Sequence, residues 1–226
     1  MTKPDLIIFD CDGVLVDSEV LSCNCLCEAL AHHGIELSVN EAIELFVGRS
    51  MVALHEHYRA LGKHLPDEFS IELKGSVREA FARALLPIDG IAAVLDGLRA
   101  PVCVASSSDL DRLWFSLEVT GLSRYFGGDR IYSSQMVKHG KPAPDLFLHA
   151  ASAMQADPRR TLVIEDSVSG VKAAKAAGMT VWGFTGGGHY ASRDGRAILQ
   201  AAGADRIFTN MSEFWPQGAD EINGRA

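Results

Sequence analysis

At 226 residues, with 47% hydrophobic and 22% charged residues, the chain is long for one simple domain and short for two, and its composition is that of a globular protein with a sizeable core. A net charge of −8 excludes a nucleic-acid surface, which needs clustered Lys and Arg, and no apolar run reaches membrane-spanning length. Only four residues precede the first apolar run, which leaves no room for a signal peptide, so a cytoplasmic location is expected.

Asp5 to Asp10 reads as a buried strand that stops at a turn marked by Gly13. From about Val20 to Leu86 apolar residues recur at helical spacing, with breaks at Gly34, Gly48 and Gly62 and a new segment at Pro66, which predicts about four short helices. Beyond Pro87 strands and helices alternate. Strands are predicted at Val102 to Ala105, Arg130 to Tyr132, Thr161 to Ile164, Thr180 to Phe184 and Arg206 to Thr209. Helices are predicted at Leu110 to Val119, Pro144 to Met154 and Val168 to Ala177. The polar tail after Pro216 is expected to be loosely docked.

This alternation implies right-handed crossovers and a parallel sheet covered on both faces. The fold class is therefore α/β, a Rossmann-like parallel sheet core (1–16 and 87–226) with an inserted helical cap domain (17–86). Sites in such sheets lie at the carboxyl ends of the strands.

Those ends carry Asp10 and Asp12, then Ser106 and Ser107, then Glu165 and Asp166. Four carboxylates at one sheet edge repel one another unless a cation sits among them, and an oxygen-only set points to magnesium rather than zinc. Asp10 and Asp12, two apart in an extended segment, project to the same side. Asp10 suits a nucleophile that forms an acyl phosphate, and Asp12 a group that protonates the leaving oxygen and then deprotonates water. Lys141, between glycine and proline, is the cation for a phosphoryl group, with the Ser106 hydroxyl and the Ser107 amide completing its cradle. Each residue alone has a plainer reading, as a turn former, helix cap or surface lysine. Their combination, in chain order, favours catalysis.

Five cysteines include Cys23, Cys25 and Cys27 on a helical stretch, where only the outer two share a face. No second pair follows at zinc spacing, so free thiols are expected. His32-His33, His55 and His57 lack the spacing of a helical metal pair, and Gly186-Gly187-Gly188 reads as a turn that could pass near a phosphate.

Asp10-Cys11-Asp12-Gly13-Val14 resembles the first motif of the haloacid dehalogenase superfamily. Val104-Ala105-Ser106-Ser107 resembles the second, Lys141-Pro142-Ala143-Pro144-Asp145 the third and Glu165-Asp166-Ser167 the fourth. The resemblance runs from about Asp5 to Thr209 and is strongest to the helical-cap subgroup of β-phosphoglucomutase, phosphoglycolate phosphatase and sugar-phosphate phosphatases such as that for 6-phosphogluconate. It implies a cap that closes over a small phosphorylated substrate. It also implies magnesium held by Asp10, Asp166 and the main-chain carbonyl of Asp12, with Glu165 in or beside that shell.

The sequence departs from the mutase pattern, because Val20-Leu21-Ser22 offers no His and Arg49, in Gly48-Arg49-Ser50, falls two positions early. Gly48 and Arg49 are the cap's candidates for a substrate contact, with a helix-capping role for Arg49 equally open. A phosphatase acting on a sugar or sugar-acid phosphate is the resulting expectation. The alternatives are a β-phosphoglucomutase-like phosphotransferase and a catalytically silent binding protein. Oligomeric state is left open, with a monomer the simpler expectation.

Overall fold

The apolar run Leu6–Phe9 forms β1, and its four residues are buried on both faces, as a central parallel strand requires. The computed structural model describes residues 3–49 and 51–214, so the tail after Pro216 lies outside the described residues. It divides into two compact units, one built from the segments up to Asp17 and from Leu86 onward, the other from Ser18–Leu85.

The inserted unit holds α1 (Glu19–His32), α2 (Val39–Phe46), α3 (Met51–Ala60) and α4 (Phe69–Ala84). Apolar residues at every fourth position of α4, Phe69, Leu73, Val77 and Phe81, give it a buried stripe. Ser38 and Glu41 start α2 by bonding each other's backbone, Glu41 N–H to Ser38 Oγ at 3.3 Å and Ser38 N–H to Glu41 Oε2 at 2.9 Å.

In the first unit, α5 (Ile91–Gly97), β2 (Val102–Ser106), α6 (Leu110–Val119) and β3 (Ile131–Ser133) precede α7 (Asp145–Ala153), β4 (Thr161–Glu165) and α8 (Val168–Ala176). β5 (Thr180–Phe184), α9 (Gly195–Ala202) and β6 (Arg206–Phe208) complete it. The six strands form one sheet in the order β3-β2-β1-β4-β5-β6, all pairs parallel, which is the expected Rossmann-like core.

Phe9 stands opposite Val104 on one side and Ile164 on the other. The ends of β1, β2 and β4 are thus level and adjacent, at the point where strand order reverses, where open α/β sheets form their crevice. Leu6 and Ile8 join Cys103, Val163, Phe147 and Val171 in a buried core on one face. On the other, Phe9, Trp182, Phe208 and Phe214 meet with ring centroids 5.5 to 6.4 Å apart.

Two helices went unforeseen in the sequence. α5 is only seven residues long, and α9 starts at a glycine, so neither carries a long apolar period. Both are defined by their ends: Gly90 before α5 has φ +78°, and Asp194 caps α9 by accepting from the Ala197 N–H at 3.0 Å.

Candidate active site

β1 ends where Asp10 donates its N–H to the Ile164 carbonyl at 3.0 Å, the last rung beside β4. Its buried side chain meets Lys141, from the loop before α7. The Lys141 ammonium, with its side chain 3% exposed, donates to Asp10 Oδ1 at 2.6 Å, Glu165 Oε1 at 2.7 Å and the Ala105 carbonyl at 3.0 Å. Three hydrogens meet three acceptors, one at the end of each of β1, β4 and β2. The ring of Phe147 lies 4.8 Å from the same nitrogen.

Burial pushes the Asp10 carboxyl up to about 7, outweighing the downward pull of Lys141, while the nearby Glu165 charge adds to the rise. Burial also opposes the charge on Lys141. The two carboxylates overcome it and hold the ammonium well above its ordinary range. Lys141 therefore stays charged, and Asp10 lacks full neutralisation.

Glu165, which the family resemblance implies lies in or beside a metal shell, accepts hydrogen bonds on both carboxylate oxygens. Oε1 accepts from Lys141, and Oε2 accepts from the Ser167 N–H at 2.7 Å and the Ser167 hydroxyl at 2.9 Å. Fully buried at the end of β4, it braces Lys141. Gly170 makes room for it, since a Cβ there would stand 1.6 Å from Oε1. Neither Ser167 nor Gly170 was singled out from the sequence as a positioning residue.

Asp12 is the more exposed member of the first pair. Its Oδ2 accepts from the Ser108 hydroxyl at 2.6 Å and its Oδ1 from Arg112 Nη2 at 2.8 Å. Ser106 is buried, and its Oγ accepts from the Ser108 N–H at 3.2 Å. The exposed Ser107 has its carbonyl bonded by the Ser134 hydroxyl at 2.8 Å, and the Ser108 carbonyl accepts from Ser133 at 2.7 Å, so residues at the end of β3 hold the loop after β2. Asp109, not the preceding serines, caps α6, accepting from the Arg112 N–H at 2.9 Å.

Asp166 sits beyond β4 against the turn after β1. Gly13 has φ +78°, and a Cβ on it would stand 1.9 Å from Asp166 Oδ2, so glycine is needed there for space as well as conformation. The loop with the glycine run folds onto the same place. His189 is 1% exposed with Nε2 3.2 Å from Asp166 Oδ2, and the Tyr190 hydroxyl donates to the Asp166 carbonyl. Burial, with the charge of Arg193, pulls the imidazole down to about 4, so the ring is neutral. Gly188 donates its N–H to Asp17 Oδ1 at 2.9 Å. The run is thus packed against the site, and its composition signals only a turn, whereas the contacts of His189 and Tyr190 with Asp166 are set by the fold.

Among the described residues no three carboxylate, imidazole or thiolate groups form a closed metal cage. Magnesium does not need one, because it is typically held by one or two carboxylates, keeps waters and takes phosphate oxygens. Asp10 and Asp166, with the main-chain oxygen of Asp12, are oxygen donors of the kind that chemistry uses.

Gly48 and Arg49 belong to the inserted unit, after α2, both exposed; Gly48 has φ +73° and the Arg49 N–H bonds the Phe46 carbonyl at 3.0 Å. Ser50 lies outside the described residues. All five cysteines are free thiols.

Residues 4–178 match the family model described as haloacid dehalogenase-like hydrolase. The chain is 30% identical over 194 residues to 6-phosphogluconate phosphatase of Escherichia coli, covering 84% of this chain and 86% of that protein. Among solved structures it resembles a conserved haloacid dehalogenase-like protein of unknown function from Agrobacterium tumefaciens, with TM-score 0.82 and 36% identity, covering 93% of this chain and 95% of that one. It also resembles a hydrolase from Deinococcus radiodurans solved with bound phosphate and sodium, with TM-score 0.80 and 34% identity, covering 99% and 98%.

Proposed function

As the chain belongs to the haloacid dehalogenase-like hydrolase family, we propose that it is a magnesium-dependent phosphatase that hydrolyses a small sugar or sugar-acid phosphate through an aspartyl-phosphate intermediate. The observation that carries this reading is the ammonium of Lys141 bridging Asp10 and Glu165 at the ends of adjacent strands. It keeps a fixed positive charge beside a carboxylate that must attack a dianion.

An oxygen of Asp10 attacks phosphorus, and the bond to the ester oxygen breaks as Asp12 gives that oxygen a proton. Water then attacks the acyl phosphate. Asp12 takes the water's proton, the bond from phosphorus to Asp10 breaks, and inorganic phosphate leaves with both carboxyl groups restored. Asp10, Asp166 and the Asp12 carbonyl would hold magnesium, which when bound supplies charge that lets the phosphoryl oxygens approach the acidic pocket. The Ser106 hydroxyl and the Ser107 amide would meet phosphoryl oxygens at the end of β2. Lys141 acts mainly through its charge, because a direct bond to phosphate means surrendering one of its three acceptors.

The sugar-phosphate class is supported by the relative named as a 6-phosphogluconate phosphatase. Release of inorganic phosphate from a panel of sugar, polyol and sugar-acid phosphates, with and without magnesium, tests it. Turnover is expected with magnesium and not after its removal by chelation. Conversion of β-glucose 1-phosphate to the 6-phosphate without free phosphate would replace this reading by a mutase.

A further inference from the structure

Asp12 needs more than presence to move a proton, because its carboxyl must meet the leaving oxygen at hydrogen-bond distance and in the right plane. A flexible Asp with one oxygen free would sample several orientations. Here both oxygens are taken, Oδ1 by Arg112 and Oδ2 by Ser108, from two points on the segment that opens α6.

That segment is itself anchored. Ser108 is held through its carbonyl by Ser133, which is fully buried, and the Arg112 backbone is tied by the Asp109 cap. The carboxylate also sits by the N-terminal end of a ten-residue helix, whose dipole favours an anion. The guanidinium and carboxylate side chains stay 28% and 12% exposed, so the pair borders solvent and is open to a substrate's leaving group.

We propose that Arg112, assisted by Ser108, is a positioning residue that sets the direction of the Asp12 carboxyl for proton transfer to the leaving oxygen. This rests on the reading of Asp12 as the acid. Ser108 and Arg112 each donate to one carboxylate oxygen and so fix the plane of the group, and the remaining lone pairs of those oxygens are left to carry the transferred proton toward the leaving oxygen. The sequence hides the pairing, since the partners are 100 residues apart and Arg112 reads as an ordinary first-turn surface residue.

The test compares two substrates that differ in their need for a proton. A hexose phosphate expels an alkoxide and needs the acid, whereas p-nitrophenyl phosphate expels a phenolate that leaves without one. Because kcat/KM covers steps only through loss of the leaving group, the later hydrolysis does not enter. In Arg112→Leu the ratio of kcat/KM for hexose phosphate to that for p-nitrophenyl phosphate should fall about 10²-fold, the cost of misplacing a catalytic group by about 1 Å. Ser108→Ala should lower it less, Arg112→Lys should recover part, and Asp12→Asn should lower it most. An unchanged or higher ratio in Arg112→Leu, alongside a lowered one in Asp12→Asn, would overturn the positioning role and leave the acid standing. An unchanged ratio in Asp12→Asn would remove the acid reading and this proposal with it.

Discussion

Single residues in the core unit carry defined consequences. Lys141 pairs with both the buried Asp10 and Glu165, so Lys141→Met removes the ammonium they share. Breaking a buried pair in this way costs about 3–5 kcal/mol, which urea unfolding of the variant should register, together with loss of turnover. Asp10→Asn keeps size and shape while removing the nucleophile; it should abolish phosphate release yet leave the thermal midpoint within about 5 °C of the parent. Phosphate release near the parent rate would sink the covalent mechanism. Gly170→Ala puts a methyl group 1.6 Å from Glu165 Oε1, so the carboxylate must swing off Lys141. A tenfold or greater loss of kcat is expected, about 1.4 kcal/mol in barrier, and an unchanged kcat would show that Glu165 is no brace.

At the scale of elements, the ends matter more than the interiors. β1, β2 and β4 are legible as short apolar runs, and what each presents at its last residue follows from its register with its neighbours. Burial within and beside the elements sets thiol behaviour. On α1, burial pushes the Cys23 thiol up to about 12, while Cys27 is raised less and half-buried; Cys11 and Cys103 are raised by burial at the sheet. Thiolate is the reacting form, so at pH 8 a disulfide reagent should modify the native protein slowly, Cys27 first. All five should react on unfolding, and rapid reaction of several thiols in the native state would contradict this packing.

At the scale of the whole chain, the inserted helices enter and leave through neighbouring points of the core. The Asp17 N–H bonds the Leu86 carbonyl at 3.0 Å, and Val16 bridges Pro87. A short Gly-Ser linker from Asp17 to Leu86 in place of 18–85 should therefore leave a core that unfolds cooperatively in calorimetry, because its sheet and apolar cluster lie wholly outside the insertion. Absence of any transition would mean that the core depends on the inserted unit. The alternation of strands and helices and the acidic strand ends were legible in the sequence by itself. Periodicity is a local property, and so is the residue that stops a strand. Only the tertiary structure decided where those side chains point. Glu165 turns to Lys141 and Ser167, Arg112 crosses to Asp12, and His189 folds down beside Asp166. Each of those directions is set by partners from distant parts of the chain, brought into contact when the sheet closes around β1, and no local pattern encodes them.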